Sequence, residues 1–116
     1  MSGIAGMYGS ADRNKLRHMI GKVEHRGPAG RCDYLDGTVA IAQNWGPPDG
    51  MDRIYYPFEN KDGTARIVFD GFLTNRDELS TLTNRDGPGG LECDARIVLD
   101  MYGKYGLDFV SHLRGM

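Results

Sequence analysis

The chain has 116 residues, of which 40% are hydrophobic and 26% are charged, and its formal net charge is −2. These values indicate a globular domain with one modest core, and they give no electrostatic reason to expect nucleic acid or an anionic membrane as a partner. No apolar run reaches the ~18 residues of a membrane span, and the N-terminus lacks the pattern of a signal peptide, so we expect a cytoplasmic protein.

The N-terminal segment, residues 1–9, is predicted to be a glycine-rich strand around which the fold is organised. Its three glycines indicate that the backbone closely approaches other parts of the chain. Ser2 directly follows Met1, and removal of that methionine would give Ser2 both a nucleophilic hydroxyl and a free α-amine able to act as its base. Taken alone, Ser2 is more simply an ordinary small residue at the start of a buried strand.

The next segment carries apolar residues at helical spacing and predicts the first helix. The repeating apolar positions are Leu16, Met19, Ile20 and Val23. We expect this helix to begin within residues 10–14 and to end near His25, because Gly27 and Pro28 follow directly. Residues 25–30 are then a loop.

The middle of the chain is predicted to contain three short strands separated by turns. The strands are expected at residues 38–42, 53–56 and 65–69, and the turns or rigid loops at residues 36–37, 44–50 and 61–63. The segment 65–69 has the clearest strand pattern.

The last third of the chain predicts two helices. Asn75 and Glu78 resemble a capping box that opens a short helix through Leu82. Asp94 is expected to cap a third helix, which Gly106 ends. Residues 84–90 between the two helices are predicted to be a loop, and residues 108–113 one further helical turn.

The sequence gives no support for a metal or cofactor site. Cys32 and Cys93 lie far apart, and no cysteine or histidine cluster has the spacing of a zinc site, so we expect reduced thiols. The glycine-rich segment 87–90 lacks the lysine and the hydroxyl residue of a phosphate-binding loop.

Five motifs, taken in order, resemble the N-terminal glutaminase domain of asparagine synthetases, which are class II glutamine amidotransferases. They are residues 2–9, His25-Arg26-Gly27-Pro28, residues 69–71 with 75–79, Asp94 with its helix, and residues 113–116. The His-Arg-Gly-Pro motif is the most specific, and the resemblance covers essentially the whole chain.

The resemblance implies an α+β fold, a four-layer αββα sandwich of the N-terminal nucleophile (Ntn) hydrolase type. Residues 1–116 would form one such domain, incomplete at its C-terminal end relative to the family. In this family the residue after the initiator methionine attacks the side-chain amide of glutamine, and glutamate and ammonia are the products. The ammonia would pass to a partner synthetase domain or subunit.

The resemblance also assigns site residues by position. Ser2 stands where the family has its cysteine nucleophile, and Asp70 with Gly71 stands where it has the asparagine and glycine of the oxyanion hole. Asp94 matches the residue that binds the α-ammonium of glutamine. Trp45 stands in place of the arginine that binds the substrate carboxylate.

Two further assignments come from the same comparison. The loop residues His25, Arg26 and Gly27 are expected to frame the site, and Asn44 is the alternative to Trp45 at the carboxylate position. Simpler structural roles are open for the acidic residues: Asp70 as the cap of a turn and Asp94 as a helix cap.

These replacements predict that glutamine hydrolysis is impaired or absent. A hydroxyl is a poorer nucleophile than a thiol, and an ionised Asp70 would repel the negative charge that develops on the substrate oxygen. Two alternatives stay open: a non-catalytic amidotransferase-like module that supports or regulates a partner protein, and a small interaction domain without related function.

Overall fold

The computed structural model describes residues 2–46, 57–84 and 94–116. The strands are β1 (Ser2–Tyr8), β2 (Gly30–Leu35), β3 (Val39–Trp45), β4 (Phe58–Glu59) and β5 (Arg66–Ile67). The α-helices are α1 (Arg13–Lys22), α2 (Arg76–Leu82) and α3 (Asp94–Tyr105). Short 3-10 helices lie at Glu24–Arg26 and Gly106–His112. This mixture is compatible with the predicted α+β class. The predicted strand 53–56, most of the predicted loops 44–50 and 84–90, and Cys93 lie outside the described residues.

The chain divides into two compact units. The described residues of the first unit are 2–46, 57–58 and 67–70, and those of the second are 59–66, 71–84 and 94–116. None of the helices within these described ranges is long and apolar enough to cross a lipid bilayer.

A three-stranded antiparallel sheet, in the order β1-β3-β2, forms the centre of the first unit. In its register Ser2 lies opposite Trp45, and Gly30 lies opposite the same tryptophan from the other side. One face packs against α1 through a buried core of Leu16, Ile20, Ala40 and Ala42. Because side chains alternate between the faces of a strand, Ser2, Gln43 and Trp45 belong to the opposite face.

Helix α1 was predicted in nearly the right place, and a strand after it was missed. Asp12 caps α1 by accepting a hydrogen bond from the Lys15 backbone N–H at 3.0 Å. Strand β2 has no clear apolar alternation, because its Asp33 lies at the edge of the sheet and pairs with Arg13. The prediction of a loop from residue 44 was wrong, since β3 continues to Trp45.

The predicted strand 65–69 is shorter than expected, because β5 covers only Arg66–Ile67. Strands β4 and β5 pair with each other around the predicted turn, in which Gly63 has a φ of +73°. The backbone groups of Phe69 bond instead to the side-chain amide of Gln43, so residue 69 does not continue a ladder.

Helices α2 and α3 form the second unit around a core that includes Leu79, Ile97 and Met101. Gly106, with a φ of +59°, follows the last residue of α3 as predicted. The predicted capping box at Asn75 is wrong in part. Its Nδ2 donates to Glu78, but its Oδ1 accepts from the Arg114 N–H instead of from α2.

Candidate functional site

Ser2 lies at the start of β1 with 8% of its surface exposed. Its hydroxyl donates a hydrogen bond to Asp70 Oδ1 at 2.8 Å, and its backbone N–H donates to the same oxygen at 3.2 Å. Asp70 was predicted, in its simpler role, to cap a turn. The carboxylate contacts Ser2 instead, so the two residues predicted for the nucleophile and oxyanion positions are in direct contact.

Arg26 connects these two residues. The 3-10 turn after α1 places its guanidinium so that Nε donates to the Ser2 carbonyl at 2.8 Å and Nη2 donates to Asp70 Oδ2 at 2.9 Å. The side chains of Arg26 and Asp70 are 41% and 26% exposed, so solvent partly screens this ion pair. The predicted framing loop therefore supplies a direct contact.

Gln43 also belongs to this cluster, although no sequence motif singled it out. It is 1% exposed, and its Nε2 donates to the Phe69 carbonyl at 2.7 Å and to Ser2 Oγ at 3.2 Å, while its Oε1 accepts from the Phe69 N–H at 2.9 Å. Because Gln43 donates to the Ser2 oxygen, the hydroxyl proton points at Asp70. The available signal was a pair of side-chain amides, Gln43 and Asn44, directly after the apolar residues of β3.

The electrostatics keep Asp70 ionised. Burial raises the pKa of the Asp70 carboxyl. Hydrogen bonds from Ser2 and Arg26 and the positive charge of Arg26 together lower this pKa by more than burial raises it, so the pKa of Asp70 lies below its usual range. A carboxylate with a low pKa is a weak base, and Ser2 therefore donates a hydrogen bond without losing its proton.

The backbone around Ser2 is held by close packing. A Cβ on Gly27 would lie 2.6 Å from Asn44 Oδ1 and 2.6 Å from the Trp45 nitrogen, so no larger residue fits there. Asn44, 2% exposed, accepts from the Gly3 N–H at 2.6 Å and donates to the Val23 carbonyl at 3.0 Å. Asn44 is thus buried and hydrogen-bonded between β1 and the end of α1, and its place at the carboxylate position stays a prediction.

The remaining predicted residues of the first unit are less closely involved. His25 is exposed beside Arg26. The Trp45 indole packs against Gly30, where a Cβ would lie 2.4 Å from the ring, and its backbone carbonyl accepts from the Ala29 N–H at 2.9 Å. A substrate-binding role for Trp45 stays a prediction.

Two predicted site residues belong to the second unit. Asp94 is the first residue of α3, and its carboxylate accepts hydrogen bonds from the Leu73 N–H at 2.8 Å and from Arg76 Nε at 2.8 Å. It therefore ties α3 to the segment before α2, which differs from the predicted N-cap. Gly71 begins the long segment of this unit. The substrate and oxyanion roles of Asp94 and Gly71 stay predictions.

The whole chain, residues 1–116, matches the family model of the glutamine amidotransferase domain. The chain belongs to this family. This membership confirms the resemblance that the five motifs indicated.

The relatives to which this amidotransferase domain is similar are much longer proteins. The chain is 27% identical over 129 positions to the root glutamine-hydrolysing asparagine synthetase of Pisum sativum, covering 100% of the chain and 21% of that protein. It is 28% identical over 126 positions to glutamine-hydrolysing asparagine synthetase 1 of Arabidopsis thaliana, with 100% and 20% covered. It is 32% identical over 109 positions to amidase chyE of Penicillium rubens, with 88% and 15% covered. The chain thus spans about a fifth of the length of the curated relatives it matches.

Within the first unit, the amidotransferase domain brings together Ser2, Arg26 and Asp70 from three distant sequence motifs, with Gln43 beside them. The arrangement provides a hydroxyl, a fixed cation and an ionised carboxylate in one hydrogen-bonded cluster. Its chemistry is that of a tightly paired carboxylate next to a protonated hydroxyl.

Proposed function

We propose that this chain is the glutamine-binding domain of a longer protein related to glutamine-hydrolysing asparagine synthetases, and that its glutamine hydrolysis is impaired. Family membership and the names of the long relatives support the first part. In this proposal, any ammonia released from glutamine serves a synthetase domain or partner subunit. The Ntn-type αββα sandwich, the single C-terminally incomplete domain and the cytoplasmic location stay predictions.

The hydrogen bond from Ser2 Oγ to Asp70 Oδ1 is the observation that carries the impairment. An attacking hydroxyl must give its proton to a base, and a base works best when its pKa is near the working pH. The pKa of Asp70 is lowered, so its carboxylate does not take that proton near neutral pH, and the proton would have to pass to the α-amine of Ser2 after removal of Met1. Ser2 is therefore held as a donor in a bond that would have to break before attack.

The charge of Asp70 adds a second obstacle. Amide hydrolysis develops negative charge on the substrate oxygen, and oxyanion holes offer N–H donors to it. At the family's asparagine position this chain has a carboxylate 2.8 Å from the Ser2 hydroxyl. Loss of one such donor costs roughly 10²–10³ in rate, and a negative charge at the same place costs more.

Ammonia release from glutamine tests the proposal. We expect the wild type to release no more ammonia than Ser2→Ala, and Ser2→Cys to release little. The double variant Ser2→Cys with Asp70→Asn should exceed Ser2→Cys by roughly 10², because it restores a neutral donor at the oxyanion position. A matched control is Ser2→Cys with Asp33→Asn, which removes another arginine-paired aspartate of the same unit.

Intact-mass measurement should accompany each assay, because the free-amine mechanism requires removal of Met1. A wild type that releases ammonia well above Ser2→Ala refutes the impairment. If the double variant without Met1 releases no ammonia and shows no calorimetric binding of glutamine, that result refutes a glutamine site and favours the non-catalytic module.

A further inference from the structure

Three donors from two separate elements converge on the Asp70 side chain. The backbone N–H and the hydroxyl of Ser2 both donate to Oδ1, and Arg26 Nη2 donates to Oδ2. Both carboxylate oxygens therefore accept hydrogen bonds, one from the two Ser2 donors and the other from the Arg26 guanidinium. Such a charge-assisted, two-sided set is the recognition pattern of a carboxylate.

We propose that these groups form a carboxylate cradle (Ser2 N–H, Ser2 Oγ and Arg26 Nη2), that Asp70 occupies it as an internal ligand, and that a small free carboxylate binds there when the Asp70 side chain is absent. The proposal goes beyond glutamine hydrolysis, since it assigns a binding site and a ligand class whether or not the domain is catalytic.

The cradle is held in place by bonds that do not involve Asp70. Arg26 Nε is bound to the Ser2 carbonyl at 2.8 Å, and Gln43 Nε2 donates to Ser2 Oγ at 3.2 Å. The backbone of Ser2 lies in β1 opposite Trp45, and the tight packing at Gly27 fixes the backbone directly after Arg26. Donors that are already oriented need little reorganisation to bind an incoming anion.

The charge balance favours an anionic occupant. Asp70 is the ion-pair partner of Arg26, and the lowered pKa of Asp70 agrees with a cradle that prefers the ionised form. Removing the side chain leaves the Arg26 guanidinium and two Ser2 donors facing the vacated space. A planar carboxylate can again give one oxygen to Ser2 and the other to Arg26, whereas a single chloride ion cannot reproduce both positions.

Chemical rescue of a truncated side chain tests the cradle. Asp70→Ala in the full chain removes the carboxylate group and leaves a space that formate fits, whereas Asp70→Gly leaves a space that acetate fits. Asp33→Ala is the matched control, because Asp33 is also an aspartate paired with an arginine, Arg13, and 25% of its side chain is exposed.

The readout is Tm during titration with sodium formate against sodium chloride at equal ionic strength. We expect Asp70→Ala to gain about 4 °C at about 100 mM formate, which corresponds to a Kd of roughly 20 mM, and the gain to saturate. The wild type and Asp33→Ala should not differ between the two salts. Adding Arg26→Gln to Asp70→Ala should abolish the difference.

The proposal is overturned if formate acts like chloride on Asp70→Ala, or if Asp33→Ala responds equally. Should Asp70→Ala not fold in chloride, the yield of folded protein after refolding in formate or chloride is the measurement, and equal yields contradict the cradle. No step measures ammonia or glutamine, so the result is independent of the proposed hydrolysis. Asp70→Asn, which still fills the space, should respond to neither salt.

Discussion

The hydroxyl of Ser2 donates to the carboxylate of Asp70 at 2.8 Å, although 68 positions separate them in the sequence. This bond joins the two residues that the family resemblance predicts at the nucleophile and oxyanion positions. Here the two residues satisfy each other, and hydrogen bonds from Ser2 and Arg26, with the charge of Arg26, keep Asp70 ionised. The same contact therefore supports both proposals: impaired glutamine hydrolysis, and a carboxylate cradle that Asp70 occupies.

Loss of the Asp70 charge should destabilise the domain in a pH-dependent way. The pKa of Asp70 is lower in the folded protein than its ordinary 3.8, so its stabilising contribution is complete above pH 3.8 and disappears as pH falls through the folded-state pKa. We expect Asp70→Asn to cost about 1 kcal/mol of unfolding free energy at pH 7, and less below pH 3.8. Urea denaturation at pH 7 and pH 3 measures this, and an equal cost at both would contradict it.

Replacement of Gln43 should be among the costliest polar changes in the first unit. Gln43→Met keeps the approximate shape but removes both bonds to the partly buried Phe69 backbone and the one to Ser2 Oγ. We expect a loss of about 2–4 kcal/mol in unfolding free energy, because two backbone groups lose their partners. Asn60→Leu is the control: Asn60 also bonds to backbone and side chain, through Ala65 and Thr64, but near solvent, and should cost about 1 kcal/mol or less.

A methyl group at Gly27 should be strongly destabilising. Its φ of −157° is accessible to any residue, so the cost of Gly27→Ala comes from collision with the buried Asn44 side chain and the Trp45 backbone at 2.6 Å. We expect a loss of at least about 2 kcal/mol. Gly21→Ala is the control, because nothing lies within 4 Å of its added Cβ in α1, and it should stabilise by about 0.5–1 kcal/mol. Similar thermal shifts for both variants would be inconsistent with the packing.

Asp94 should matter for the second unit even without any substrate. Asp94→Ala leaves the Leu73 N–H and Arg76 without their acceptor, and we expect a loss of about 1–2 kcal/mol in unfolding free energy. Hydrogen exchange at Leu73 should accelerate in this variant. Asp108→Ala, at an exposed position, is the comparison and should leave that exchange unchanged. An unchanged hydrogen-exchange rate at the Leu73 amide in Asp94→Ala would contradict the hydrogen bond between Leu73 and Asp94.

Local patterns were sufficient for several elements. The apolar spacing located α1, and Asp94 marked the start of α3. The position of Gly106 correctly indicated where α3 ends, because a residue with positive φ readily terminates a helix. The order of the five motifs was also sufficient to predict the family. Strand β2 was missed since its edge position allows charged residues to replace the usual alternation.

The sequence by itself determined the family and the main helices, and it predicted which residues stand at the nucleophile and oxyanion positions. Only the tertiary structure decided what those residues contact, because their hydrogen-bond partners come from distant segments. Gln43 became visible as part of the cluster when the register of β3 placed it beside Ser2, and Arg26 when the turn after α1 directed it at Asp70. Periodicity reports which face a side chain takes, whereas a contact across 68 residues depends on how the chain folds back on itself.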